Sequence, residues 1–246
     1  MTRFAVLADI HGNILALEAV VRDVARRGIE SVINLGDNAS GPLWPDETVS
    51  FLMQQNWQQI AGNCDRALLQ QSPETLGASD RYAFDRLSDV QKAWLAGLPA
   101  RAAVFDGVLA VHGTPSSDSE YLLESINAGR VDLAEPGAIE ARLGRERSAV
   151  FLCGHSHLPR IVRVGGRLIV NPGSVGLPAY TQDTPEPHVM QTGAPDARYA
   201  VLERTATGWC AELVAVPYDH EAAARQARLQ NRHDWVSALE TGWVTM

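Results

Sequence analysis

Five times along the chain, a short apolar run stops abruptly in a polar, glycine-marked turn that carries aspartate, asparagine or histidine. Arg3 to Ala8 leads into Asp9-Ile10-His11-Gly12-Asn13, and Ser31 to Leu35 into Gly36-Asp37-Asn38. Trp57 to Ile60 leads into Ala61-Gly62-Asn63-Cys64-Asp65, and Val108 to Val111 into His112-Gly113. The fifth run, Ser148 to Cys153, ends at Gly154-His155-Ser156-His157. Apolar runs this short, bounded by turn signals, suit strands covered on both faces.

Helices are expected between the first three runs. Leu17, Val20, Val21 and Val24 fall at helical spacing, with Asn13 as a cap and Gly28 at the far end. A second amphipathic stretch runs from Asp46 to Gln55. The resulting βαβαβ order implies a parallel sheet with right-handed crossovers. Loops that leave the carboxyl ends of such strands share one edge, where ligands bind. Asp9, His11, Asp37, Asn63 and Asp65 are therefore expected to converge.

Further on, the pattern predicts one helical stretch from Ser79 to Leu98 and a hairpin of Arg101 to Phe105 and Val108 to Val111 around Asp106-Gly107. A second hairpin, Arg160 to Val164 with Arg167 to Val170, ends at Asn171-Pro172-Gly173-Ser174. Late strands near Tyr199 to Glu203 and Cys210 to Val216 precede a helical C-terminus. Thr114 to Pro136 and Tyr180 to Pro195 show no period and are expected to be irregular loops that cover substrate or contact a partner. No repeat or linker divides the chain, so one domain over residues 1–246 is expected.

Composition narrows the class. At 46% hydrophobic and 20% charged residues, the chain can bury a normal core. A net charge of −8 repels phosphate backbones and argues against non-specific nucleic-acid binding. No apolar run approaches the ~18 residues of a membrane span, and no signal-like segment opens the chain. No membrane association and a cytoplasmic location are expected. Cys64, Cys153 and Cys210 are too few and scattered for a disulfide framework or a zinc knuckle, and are expected as reduced thiols.

The chemistry lies in Asp9, His11, Asp37, Asn63, His112, His155 and His157. Carboxylates mixed with imidazoles suit borderline divalent ions such as Mn, Fe, Zn or Ni. Seven such groups exceed the needs of one ion and suit two that share a carboxylate. Two ions about 3.5–4 Å apart can clamp a phosphoryl group for in-line displacement. Taken singly, each motif also reads as an ordinary turn: Asp9 as a capping acid, His112 as a core histidine, Gly36-Asp37 as a solvated dipeptide. Their shared placement at strand ends favours the metal site. His188, His220 and His233 are expected as surface or loop histidines, with a reach toward substrate left open for His188 in the Thr181 to Gly193 loop. The stretch from Glu221 to Arg232 is expected as a solvated helix face or an oligomer contact.

In these motifs and their order, with Asn171-Pro172-Gly173-Ser174 behind them, the sequence resembles the calcineurin-like metallophosphoesterases, above all their compact bacterial and archaeal phosphodiesterase-like branch. The resemblance implies an α/β fold, a four-layer α/β/β/α sandwich with a dinuclear metal site at the carboxyl edge of the strands. It assigns Asp9, His11 and His157 to one ion, Asp37 as the bridge, and Asn63, His112 and His155 to the other. It implies a metal-bridging hydroxide as nucleophile, Asn13 touching a phosphate oxygen, and Asp65 orienting a ligand. Asn13, Asn63, Asp65 and His112 thus form the expected catalytic set. Many relatives carry histidine directly after the motif asparagine as a general acid, whereas this chain has Cys64. A thiol with a pKa of ~8.5 replaces imidazole poorly near neutrality, which favours substrates with good leaving groups. The implied activity is a metal-dependent phosphoric ester hydrolase, first of phosphodiesters among small phosphorylated substrates. A nucleotide hydrolase (diadenosine polyphosphates or cyclic nucleotides), a protein phosphatase and a non-catalytic protein-binding scaffold stay open.

Overall fold

In the computed structural model, which describes residues 2–245, β1 (Arg3–Leu7) is apolar on both faces because both faces are covered. Met1 and Met246, the ends of the expected domain, lie outside the described residues. The two-residue period of a strand sends Phe4 and Val6 to one side and Ala5 and Leu7 to the other. Helix α1 (Ile14–Arg26) starts where Asn13 Oδ1 accepts a hydrogen bond from Ala16 N at 3.2 Å. It buries Ala16, Leu17, Val20 and Val24 against the Ala5 and Leu7 face. Strand β2 (Ser31–Asn34), helix α2 (Pro45–Met53) and strand β3 (Gln58–Gln59) complete the predicted βαβαβ unit, and all three strands are parallel.

Here local structure departs from the sequence pattern. Strand β3 is only two residues long, because the chain turns at once into α3 (Asn63–Gln70), a helix that the motif residues Asn63 and Asp65 themselves begin. The stretch predicted as one helix over 79–98 is two, α4 (Ala78–Phe84) and α5 (Asp89–Ala96). Ser88 breaks it: its hydroxyl caps Gln91 N, and the Gln91 side chain accepts from Ser88 N at 2.8 Å.

Strands β4 (Arg101–Phe105) and β5 (Val108–Val111) form the predicted hairpin. The first segment expected to be irregular holds another, β6 (Glu124–Asn127) with β7 (Arg130–Leu133). Its two loop residues, Ala128 and Gly129, both have positive φ, at 51° and 77°, the twist that a two-residue hairpin loop favours. Helix α6 (Pro136–Leu143), strand β8 (Val150–Leu152) and the hairpin β9 (Arg160–Val164) with β10 (Arg167–Asn171) follow. The second segment expected to be irregular holds the hairpin β11 (Ala179–Gln182) and β12 (His188–Gln191). Strands β13 (Ala197–Thr205) and β14 (Gly208–Val216) and helices α7 (His220–Leu229) and α8 (His233–Thr241) close the chain.

Two five-stranded sheets result, in the orders β14-β13-β1-β2-β3 and β4-β5-β8-β10-β9. They face each other through Phe4, Val6 and Ile33 on one side and Ala110, Leu152 and Val170 on the other. Helix α1 covers the outer face of the first sheet, and α6 covers the second with Ile139 and Leu143 against Phe151 and Ile169. This is the four-layer α/β/β/α sandwich. Its carboxyl-end loops from β1, β2, β3, β5 and β8 meet at one edge. Helices α7 and α8 pack beside that edge on Leu43, Leu177 and Ala179. Among the described residues, no helix is long and apolar enough to cross a membrane.

Candidate metal centre

Five of the expected ligands, Asp9, His11, Asp37, His155 and His157, hold positive φ between 51° and 69°. For side chains other than glycine this conformation costs roughly 1–3 kcal/mol each, and it persists only where surrounding structure enforces it. Here the strand ends are laced together: Asp9 N donates to Gly36 O and His11 N to Asp37 O, both at 2.9 Å. The neighbouring glycines allow the approach. A Cβ on Gly154 would lie 3.0 Å from Asp9 Oδ2, and one on Gly62 would strike the Asp37 carboxylate.

The side chains converge within a few ångströms of one another. His11, His112 and His157 each engage a backbone carbonyl through Nδ1, at Ser40 (2.8 Å), Leu35 (2.8 Å) and Leu177 (2.7 Å). In the neutral rings of His11 and His157, donation from Nδ1–H turns Nε2 inward as a lone pair. His11 Nε2 and His157 Nε2 then stand 3.1 Å apart, acceptor against acceptor. Asp37 Oδ2 lies 3.4 Å from His112 Nε2 and 3.9 Å from His11 Nε2. Asp9 Oδ1 lies 3.5 Å from His157 Nε2 and 3.8 Å from His112 Nε2. Two groups able to hold an ion follow, Asp9–His11–His157 and Asp9–Asp37–His112. Buried carboxylates beside opposed imidazole lone pairs are a donor set that cations satisfy, so the residues fit divalent metal.

Without metal, protons do part of that work. Burial pushes the Asp9 carboxyl up to about 8, opposed by His112 and reinforced by the charge of Asp37. Burial would also raise Asp37, but the charge and hydrogen bond of His112 hold it well below the usual carboxylate range. His112 rises to about 10, because Asp37 and Asp9 outweigh its burial. Burial and the neighbouring His112 bring His155 down to about 4, and burial with His11 brings His157 well below its ordinary value.

The remaining expected residues take different places. Asn63 Oδ1 sits 3.0 Å from His112 Nε2. The His155 ring lies beside His112, with centroids 5.4 Å apart, but its nitrogens stand outside the two tight groups. Asp65 is fully buried beneath the site, where its carboxylate accepts from Asp37 N, Asn38 N, Asn38 Nδ2 and Gly62 N at 2.8–3.0 Å. Asp65 thus acts through Asp37, not on substrate. Asn13 corrects the expected contact with a phosphate oxygen. It is wholly buried, and its amide donates to Gly176 O and Tyr218 Oη while its oxygen caps α1. Cys64 N donates to Asp37 Oδ1 at 2.8 Å, and burial together with Asp37 pushes the thiol well above its ordinary value.

Other residues reach the site from positions that carried no local signal. His188 is buried, not a surface histidine. Its Nε2 meets Tyr121 Oη at 3.0 Å, and the Tyr121 ring stacks on His155 at 4.7 Å. Tyr180 Oη donates to His155 O at 3.0 Å, and its ring edge meets His157. The two segments expected to be irregular therefore supply the aromatic wall. Arg232, expected on a solvated face, lines a 360 Å³ cavity with His11, Asp37, His157, Asp80 and Trp235. A second cavity of 600 Å³ is lined by Glu120, Glu124 and Arg142. The two share Asn63, Tyr121, His155 and Gln182.

A sandwich of this topology with aspartate and histidine gathered at its carboxyl edge is the architecture of a metallophosphoesterase. The chain belongs to the calcineurin-like phosphoesterase superfamily, whose domain matches residues 2–193. It is 24% identical over 259 residues to the uncharacterized protein MJ0912 of Methanocaldococcus jannaschii, with 94% of each chain covered. The fold matches a metallophosphoesterase from Sphaerobacter thermophilus at 24% identity, TM-score 0.74, covering 98% of this chain and 99% of that one. It also matches hypothetical protein PH1004 of Pyrococcus horikoshii OT3 at 20% identity, TM-score 0.76, with both chains covered in full.

Proposed function

We propose that the protein is a metal-dependent hydrolase of small phosphodiesters, with Asp9, His11, Asp37, Asn63, His112, His155 and His157 holding two divalent ions. The observation that carries the diester reading is the meeting of two cavities at the cluster, which share Asn63, Tyr121, His155 and Gln182. A diester has two substituents to place around phosphorus, and a monoester has one. In this reading Asp37 is the bridge: its carboxylate lies within 3.9 Å of histidines from both groups, beside Asp9, which is common to the two groups. Divalent ions held there supply Lewis acidity toward phosphoryl oxygens and lower the pKa of bound water.

The chain supplies the rest. The Nδ1–carbonyl bonds orient three imidazoles, and Asp65 fixes the Asp37 backbone. The protonated Cys64 thiol is a weak acid beside the site, so leaving-group protonation falls to water or to a leaving group that needs none. The mixed nitrogen and oxygen donors accept Mn, Fe, Zn or Ni, and manganese is the first ion to try.

Chelator-stripped protein is assayed on bis(4-nitrophenyl) phosphate and 4-nitrophenyl phosphate before and after addition of Mn(II). Metal-restored cleavage with the diester preferred is expected. Equal or greater monoester turnover overturns the diester reading, and protein that binds no metal and cleaves neither points to a protein-binding scaffold.

A further inference from the structure

Two polar atoms of opposite character, on residues that line the 360 Å³ cavity, are buried and lack a hydrogen-bond partner among the described residues: Arg232 Nη1 and Asp80 Oδ1. Buried polar groups are nearly always paired, and an orphan needs a reason. Arg232 is held for presentation. Its Nε and Nη2 grip Asp234 at 2.9 and 2.6 Å, which fixes the guanidinium plane and leaves both N–H groups of Nη1 uncommitted. Its guanidinium carbon lies 5.7 Å from the Trp235 ring, which in turn meets His11 edge-on at 6.1 Å. The Trp235 position is guarded, since a Cβ on Gly41 would come within 2.7 Å of its ring. Arg232 is therefore linked to the metal-ligand cluster through the Trp235 ring.

Arg232 offers a donor and Asp80 an acceptor, so the group that satisfies both must present an acceptor beside a donor. The same cavity is also lined by Leu177, Ala179, Tyr180 and Val244. A planar heterocycle edge matches that mixture, whereas a charged ammonium–carboxylate arm loses hydration against the apolar wall. We propose that Arg232 and Asp80 read the donor–acceptor edge of a nucleobase on one arm of the substrate; this rests on the phosphodiesterase reading of the same site. Arg232 lies between α7 and α8, beyond residue 193 where the match to the family ends, whereas Asp80 lies on α4 within it.

The test compares equilibrium binding of AMP, GMP, CMP and UMP with that of ribose 5-phosphate to Mn(II)-loaded protein, by calorimetry. At least one nucleotide is expected to bind about tenfold tighter than ribose 5-phosphate, the worth of one or two net hydrogen bonds. In Arg232→Met and in Asp80→Ala that ratio is expected to fall to about one. Arg232→Lys can still pair with Asp234 but lacks the second fork, so it is expected to lose the preference too and serves if the methionine variant folds poorly. With the 4-nitrophenyl ester of the preferred nucleotide, the variants are expected to raise KM far more than they lower kcat. Four nucleotides that bind no tighter than ribose 5-phosphate, or variants that keep the preference, overturn the proposal. Metal-restored cleavage of bis(4-nitrophenyl) phosphate without base preference removes the base site alone. Base preference without any diester cleavage removes the phosphodiesterase reading and leaves the base site.

Discussion

Asp65 lines neither cavity and belongs to neither metal group, yet its removal is expected to damage both stability and metal affinity. Its carboxylate is the common acceptor for four N–H groups, two of them the backbone amides of Asp37 and Asn38. Burial and the charge of Asp37 push it up to about 6, so it is ionised at neutral pH. Asp65→Ala leaves four buried donors unpaired. A single unpaired buried donor costs ~1–3 kcal/mol, but adjacent losses are not additive. Removing one partner from a buried charged network costs ~3–5 kcal/mol, so a loss of about 4 kcal/mol is expected. For a chain of this length that lowers Tm by roughly 8–16 °C. Asp37 also loses the anchor on its backbone, which in comparable supports costs ~10–100-fold in metal affinity. Urea unfolding of the metal-free protein reads the first effect and Mn(II) calorimetry the second. Asp65→Asn, which keeps the shape but turns one acceptor into a donor, is expected to lose less stability and still weaken metal binding. A loss below ~1 kcal/mol would refute the four-donor reasoning. A large loss with unchanged metal affinity would reduce Asp65 to a packing role.

Asp37→Asn is expected to abolish turnover and to lower metal content at both groups, checked by elemental analysis; undiminished turnover would sink the shared-carboxylate arrangement. Metal binding must displace the protons that Asp9, at about 8, and His112, at about 10, hold in the metal-free site. At pH 7 about two protons should be released, visible as calorimetric enthalpies that change with buffer ionisation heat. The same two groups bind protons more tightly folded than unfolded, so their stabilisation is complete below their unfolded pKa values and disappears as pH rises through about 8 and 10. Metal-free protein should therefore unfold at lower urea at pH 9.5 than at pH 7, and metal should narrow the gap. Cys64→Ser is expected to change kcat/KM less than ~threefold, because a thiol far above neutral pKa contributes little as an acid; a loss as deep as that of Asp37→Asn would give the thiol a direct part.

Asp9, His11, Asp37, Asn63, His112, His155 and His157 were legible in the sequence because each directly follows or closely trails a short apolar run. Local pattern identifies each strand and its end. Parallel pairing gathers the ends of β1, β2 and β3 in one sheet and of β5 and β8 in the other. It is the stacking of the two sheets that brings His112, His155 and His157 to the first set. The hairpin over Arg101 to Val111 was legible for the same reason: Asp106-Gly107 is a local turn signal. What tertiary structure decided is everything whose role depends on a partner distant in the chain. Asn13 belongs to a site motif, but its amide is consumed by Gly176 and Tyr218 and not by substrate. His188 has nothing local to distinguish it from a surface histidine until β12 carries it under Tyr121. Arg232 sits in a stretch rich in arginine and alanine, and only the packing of α8 against Leu43 and Leu177 turns its free Nη1 toward the cavity. Period and turn chemistry act over a few residues and so specify elements. The path of a loop and the docking of a helix are set by burial summed over the whole chain, and no short stretch of sequence records them.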